Sequence, residues 1–161
     1  MAGKIGREKA LNKKLTPVKG DYDYVFIDCP PTLGLLVINA LAAADSVLIP
    51  VQCEPLTLYG VNHLLQIINL VREEVNPALR IEGVLRTMYD RRTRLSQEVS
   101  ESMEQTFGQL VFSTIIYRHV RLAEGPVHEL PVSSYSARSA GADEYRALAR
   151  ELLARESQKA G

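Results

Sequence analysis

An apolar run that ends in a carboxylate and two prolines, Asp23-Tyr-Val-Phe-Ile-Asp28-Cys-Pro-Pro-Thr-Leu-Gly34, constrains this chain more than any other stretch. Val25, Phe26 and Ile27 form the short uninterrupted apolar segment of a strand buried on both faces of a parallel sheet. Such a strand ends at Asp28. Ligands of open α/β sheets bind at the carboxyl ends of strands, so this carboxylate is placed to hold magnesium, directly or through water, beside nucleotide phosphates. Pro30 and Pro31 deny the next residues a ladder donor and a free φ, which makes a stiff exposed turn, suited to report a γ-phosphate, before a helix that Gly34 opens. An ordinary strand exit with a solvated Asp28 accounts for Asp28-Cys29-Pro30-Pro31 equally well.

No phosphate-binding loop precedes this segment. Gly3-Lys4-Ile5-Gly6-Arg7-Glu8 has two glycines and a lysine, but a phosphate cradle needs a strand before it and a Gly-Lys-Ser/Thr end that leads into a helix. Met1 to Lys19 reads instead as the tail of a helix, through Leu11 and Leu15, running into a linker at Pro17.

Strand and helix then alternate, which predicts a three-layer α/β fold, a mostly parallel sheet with helices on both faces. Strands are expected near 23–28, 46–51, 81–88 and 111–116. Val61, Leu64, Leu65, Ile68, Val71 and Val75 mark one face of a helix that stops before Pro77. A further helix runs from about Ser96, as N-cap, to Phe107 and ends at Gly108. The last spans roughly 141–156, with Tyr145, Leu148, Ala149, Leu152 and Leu153 as a narrow apolar stripe. Its charges, Arg146, Arg150, Glu151, Arg155 and Glu156, are mixed in sign, so it reads as a core-packing element and not as a membrane-surface helix.

Composition narrows the partners. Basic and acidic residues number 19 each, so any grip on nucleic acid must come from a local patch. Cys29 and Cys53 lie outside any CxxC or Cys/His pattern, fit a reduced compartment and are expected to be small buried hydrophobes. His63 and His128 have no partners at ligand spacing. No apolar run approaches the length of a membrane span, which points to a soluble domain.

Four segments recur here in one order: Asp28-Cys-Pro-Pro-Thr-Leu-Gly-Leu-Leu36, Ala44-Asp45-Ser-Val-Leu-Ile-Pro-Val-Gln-Cys-Glu54, Gly83-Val-Leu-Arg-Thr-Met-Tyr-Asp90 and Val120-Arg-Leu-Ala-Glu124. Together, over roughly residues 5–155, they resemble the ParA/Soj chromosome- and plasmid-partitioning ATPases, relatives of MinD with a deviant Walker A motif. The resemblance implies a P-loop NTPase-like fold that begins with a strand and a KGGxGKT-type loop, neither found in this sequence. An amino-terminally truncated chain is therefore expected: residues 1–20 a helix tail and linker, 21–156 the C-terminal portion of the ATPase domain, 157–161 a tail. Asp28 is implied as the Walker B carboxylate on the magnesium side, with Pro30 and Pro31 as the switch. Contacts to the adenine of ATP are implied at Thr87 and Met88 and around Tyr117, Arg118 and His119. There Tyr117 and His119 stand where the family reads proline and asparagine, and a surface turn without ligand is the alternative. Arg92 and Arg121 match arginines that hold DNA without sequence preference, with Arg91 and Arg94 beside them and Arg86 and Arg118 in the same basic group; a charge run is otherwise a solvated face.

Further implied are ATP and Mg2+ as cofactors, a ParB/Spo0J-type partner that stimulates hydrolysis, non-specific DNA, a self-dimer, no membrane, and a cytoplasmic, nucleoid-associated location. The chain alone is expected to hydrolyse no ATP. With the family's first strand lacking between 23–28 and 46–51, either these strands close the gap or a strand-exchanged dimer forms. The rival is a non-enzymatic short relative that binds DNA or its partner without a cofactor.

Overall fold

The structure, a computed structural model, describes residues 6–55, 57–124 and 129–159. Its main elements are α1 (Ala10–Leu15), α2 (Leu35–Ala43), β1 (Ser46–Gln52), α3 (Thr57–Glu74), β2 (Arg80–Tyr89), α4 (Arg94–Phe107), β3 (Val111–Tyr117), α5 (Val120–Ala123), α6 (Val132–Tyr135) and α7 (Ala140–Lys159). The strands form a parallel sheet in the order β1-β2-β3, the α/β class expected, and three of the four expected strands fall within a residue of their predicted ends.

The fourth does not form. None of residues 23–28 belongs to the sheet; Val25 and Phe26 are exposed and Ile27 is half-buried. An apolar run becomes a central strand when neighbours on both sides take its backbone groups, and no described strand lies beside this one. The direct closure expected between 23–28 and 46–51 is therefore absent as well. Cys29, on the same segment, is exposed instead of buried, whereas Cys53 is buried as expected and desolvation pushes its thiol up to about 11.

The chain divides into two compact units, Met1–Val47 with Tyr59–Glu82, and Leu48–Leu58 with Gly83–Gly161. In the first, Gly34 opens α2, and Val37, Ala40, Leu41 and Ala42 are buried. Asn39 accepts from the Leu11 N–H at 3.2 Å and donates to Leu35 O at 2.9 Å, tying α1 to α2. Asn76 donates to Leu41 O at 3.0 Å and Ala44 O at 2.8 Å, satisfying carbonyls that the end of α2 leaves without helical partners. The apolar face of α3 is as predicted: Val61, Ile68 and Val71 are buried, Leu64, Leu65 and Val75 half-buried, and His63 is exposed.

In the second unit Leu85, Phe112 and Ile116 form a core against which Leu48, Leu122, Leu148 and Leu152 pack. The β2–β3 register is interrupted twice. Val84 pairs with Val111 and Arg86 with Ile115, so two steps on β2 face four on β3; Tyr89 then pairs with Tyr117, which leaves an extra residue on β2 where Met88 has φ 52°. Helix α4 starts three residues before the expected site because Thr93, not Ser96, is the N-cap: its Oγ1 accepts the Ser96 N–H at 3.3 Å, while Ser96 Oγ donates to Cys53 O at 3.1 Å. Gly108 ends it, as predicted.

The buried face of α7 differs from the predicted stripe. Leu148 and Leu152 pack inward, but Tyr145, Ala149 and Leu153 are exposed, and Glu151 takes part of the inner face. Its carboxylate accepts from Ser113 N and Thr114 N at 2.8 Å each, Thr114 Oγ1 at 2.7 Å and Arg155 Nη2 at 2.9 Å. Burial pushes the carboxyl up, but these hydrogen bonds together outweigh it and hold Glu151 below its ordinary value. A carboxylate so lowered contributes stability that is present above its unfolded value and lost as pH falls through the folded one. Glu151→Gln is accordingly expected to lower the urea midpoint clearly near about pH 7 and much less near about pH 3. Equal losses at both would show that the charge is not what Ser113 and Thr114 bind.

Candidate functional site

The exits of β2 and β3 lie together in the second unit. After Tyr89 the chain turns through Asp90, whose Oδ1 accepts from Arg92 N and Nε at 3.0 Å each and whose Oδ2 accepts from Arg92 Nη2 at 2.8 Å. The Arg92 hydrogen bonds hold the Asp90 carboxyl well below the usual carboxylate range. Thr93 donates from its N–H and its hydroxyl to Asp90 O, both at 3.2 Å, and the turn passes into α4. The β3 exit is joined to this turn by the Arg118 N–H, which donates to Tyr89 O at 3.0 Å.

A cleft of about 480 Å³ opens here, lined by Tyr89, Asp90, Arg91, Arg92, Tyr117, Arg118, His119, Ala140 and Glu144. The Arg91 guanidinium lies 4.1 Å from the centre of the Tyr117 ring, and Tyr89 meets that ring edge-on at 5.4 Å. Glu144 holds the exit from the α7 side: Oε2 accepts the Tyr117 N–H at 3.0 Å and Oε1 pairs with His119 Nε2 at 2.8 Å. Arg118 reaches Glu54 at 3.4 Å.

Of the residues expected to bind base or DNA, Arg91, Arg92, Tyr117, Arg118 and His119 come together in this cleft. Thr87 and Met88 are not among its lining residues; Thr87 is half-buried with its carbonyl accepting the Cys53 N–H at 3.0 Å, and Met88 is exposed. Arg94 is exposed on α4 and pairs with Glu98 at 2.9 Å. The side chain of Arg121 and residue His128 lie outside the described residues. Arg86 does not belong to the surface group. It is buried, donating to Ser100 Oγ at 3.0 Å and Phe112 O at 2.9 Å and pairing with Glu104. It lies in the stretch 82–86 of β2 that is buried throughout, beside a break in the register with β3, and its guanidinium takes the Phe112 carbonyl.

Asp28, Pro30 and Pro31 are exposed in the first unit. Among the described residues no group of three or more His, Cys, Asp or Glu is arranged to hold a metal ion. Magnesium is bound through one or two carboxylates with phosphate oxygens and water, and an exposed Asp28 fits that chemistry and not a cage made of protein alone. No described helix is long and apolar enough to cross a membrane. Sequence reasoning missed Asp90 and Glu144. Asp90 carried a local signal, an Asx residue two before Arg92; Glu144 carried none, being 25 residues from His119.

An AAA domain family matches residues 1–81. The chain is 52% identical over 153 residues to the chromosome-partitioning ATPase Soj of Treponema pallidum and 51% identical over 150 residues to the sporulation initiation inhibitor protein Soj of Bacillus subtilis. These alignments cover 95% and 93% of this chain but 60% and 59% of those proteins, so the chain spans about three-fifths of the length of the curated relatives it matches. Among solved structures, that of cobyrinic acid a,c-diamide synthase from Mycobacterium smegmatis with bound ATP analogue and magnesium is similar, with a TM-score of 0.78 and 38% identity over 92% of this chain and 55% of that one. Matched along nearly all its length by partitioning ATPases, and built on a parallel sheet with helices, the chain belongs to the Soj/ParA family of chromosome-partitioning ATPases.

Proposed function

We propose that this chain serves DNA partitioning by binding DNA without sequence preference through the arginines at the β2 and β3 exits, within an assembly that uses ATP and magnesium to dimerise and a ParB-type partner to trigger hydrolysis. The observation that carries the reading is the convergence of Arg91, Arg92 and Arg118 on one cleft. Their ion pairs do not argue against it. The Arg92 and Arg118 side chains are 86% and 57% exposed, so water and salt screen their pairs and a phosphate can compete with the carboxylates for them. Arg121, on α5 just beyond the β3 exit, joins them in the proposal, as does Arg94, the first residue of α4.

Asp28 would hold magnesium through water, with Pro30 and Pro31 stiffening the turn behind it. Tyr117, Arg118 and His119 would line the base side, Thr87 and Met88 supplying backbone at the end of β2. ATP and magnesium supply the phosphoryl group and its charge neutralisation; the residues named here bind and orient. Phosphoryl transfer depends almost wholly on a preorganised phosphate cradle, and the sequence contains no Gly-Lys-Ser/Thr, so the chain alone turns over no ATP above background. That residues 23–28 lie outside the sheet, so that no strand end holds Asp28 in place, favours a second reading, a module that binds DNA or its partner without nucleotide.

Fluorescence anisotropy with unrelated duplexes across a salt series tests the proposal. Affinity is expected to be equal for all duplexes and to fall steeply with salt, and Arg92→Ala is expected to weaken every duplex alike and reduce the log–log salt slope by about 1. Sequence-selective binding, or none at low salt, would sink it. Calorimetric titration with ATP and magnesium separates the two readings: heat that vanishes in Asp28→Ala supports the nucleotide-dependent one, and silence supports the other.

A further inference from the structure

Strand β3 stands last in the order β1-β2-β3, so among the described residues one of its edges has no strand beside it. A bare edge offers a row of backbone donors and acceptors to any extended chain. Here that row is taken by the side chains of one helix. Along β3, Arg155 Nη2 donates to Val111 O at 2.7 Å, Glu151 accepts from Ser113 N and Thr114 N at 2.8 Å each, and Glu144 accepts from Tyr117 N at 3.0 Å. The three residues are spaced seven and four apart on α7, sharing a face with Leu148 and Leu152, which pack on the core under β3.

The sheet irregularity explains why side chains are needed. Between Val111 and Ile115 strand β3 carries two residues more than β2 does between Val84 and Arg86, and the extra residues of a bulge leave the ladder. Ser113 and Thr114 sit in that interval. The helix charges are locked in turn: Arg155 pairs with Glu151 at 2.9 Å and lies 4.0 Å from the centre of the Phe112 ring, and Glu144 also binds His119 at 2.8 Å. An incoming strand would have to displace charge-assisted hydrogen bonds, which are stronger than the neutral ladder bonds it brings.

We propose that Glu144, Glu151 and Arg155 make α7 an edge guard, standing in for a neighbouring strand on β3 and closing that edge to strand addition by a second copy of this chain. Self-association must then use other surfaces.

Amide hydrogen exchange and light scattering on the full chain test this. In the parent protein the Ser113, Thr114 and Tyr117 amides are expected to be as protected as those of β2. Glu151→Ala is expected to speed exchange at Ser113 and Thr114 at least about tenfold, leaving β2 unchanged, and to raise the weight-average mass above the parent's as concentration rises. Glu144→Ala, which frees the Tyr117 amide alone, supplies the same two readings if Glu151→Ala does not fold. Unprotected Ser113 and Thr114 in the parent would overturn the proposal. So would a variant whose amides are freed while its mass stays equal to the parent's over the whole dilution series.

Discussion

Gly83→Ala is expected to lower the stability of the chain by about 3 kcal/mol, the upper end of what overpacking a core costs. A Cβ at this position would stand 2.5 Å from Phe112 Cε2 and 2.6 Å from Leu110 O. Neither neighbour yields easily. The Phe112 ring is fully buried among Leu85 and Ile116, so swinging it away trades a clash for a void. The Leu110 carbonyl is main chain at the entry to β3, and moving it shifts the strand whose register sets the second unit. Urea unfolding should show a lower midpoint with an unchanged slope. In a Phe112→Leu background, where the ring contact is gone and the carbonyl contact remains, the alanine should cost less than in the parent. A loss below about 1 kcal/mol in the parent would mean that β2 and β3 separate freely here.

Much of this architecture was legible because its signals are local. The alternation of apolar runs placed β1, β2 and β3, the periodicity of Val61, Ile68 and Val71 set the face of α3, and Gly34 and Gly108 marked helix ends, Gly108 with a φ of 52° that favours glycine. What failed was non-local. Val25-Phe26-Ile27 has the composition of a central strand, but composition cannot state that a partner strand will be beside it. The N-cap of α4 moved to Thr93 because Ser96 spends its hydroxyl on Cys53 O, 43 residues away in sequence. Arginines at the β2 and β3 exits could be gathered from strand ends alone, whereas Glu144, which fixes Tyr117 and His119, reaches them from a helix that sequence showed as a plain amphipathic stripe. Arg86 looked like a member of the basic group because periodicity in a short strand does not tell a buried, paired cation from an exposed one.

That burial sets up an asymmetric pair. The Arg86 side chain is 7% exposed and its partner Glu104 is 56% exposed. Deleting the glutamate leaves a buried cation with Ser100 Oγ and Phe112 O as neutral acceptors and with its Nε already lacking a partner. Deleting the arginine leaves a carboxylate that water can reach and a carbonyl and a hydroxyl that lose one donor. Breaking a buried pair from the side that strands the buried charge costs about 3–5 kcal/mol, whereas an unsatisfied neutral group costs about 1–3 kcal/mol. Glu104→Ala is therefore expected to destabilise the chain more than Arg86→Met, although Glu104 is the more exposed residue. Methionine keeps most of the arginine's volume and carries no charge to strand. Combining the two changes should recover stability relative to Glu104→Ala alone, since the second substitution removes the stranded cation. Chemical unfolding of the two single variants and the double variant decides the matter. If Arg86→Met proves the costlier single change, or the double variant equals the sum of the two, the guanidinium is held by Phe112 O and Ser100 with no help from its counter-charge.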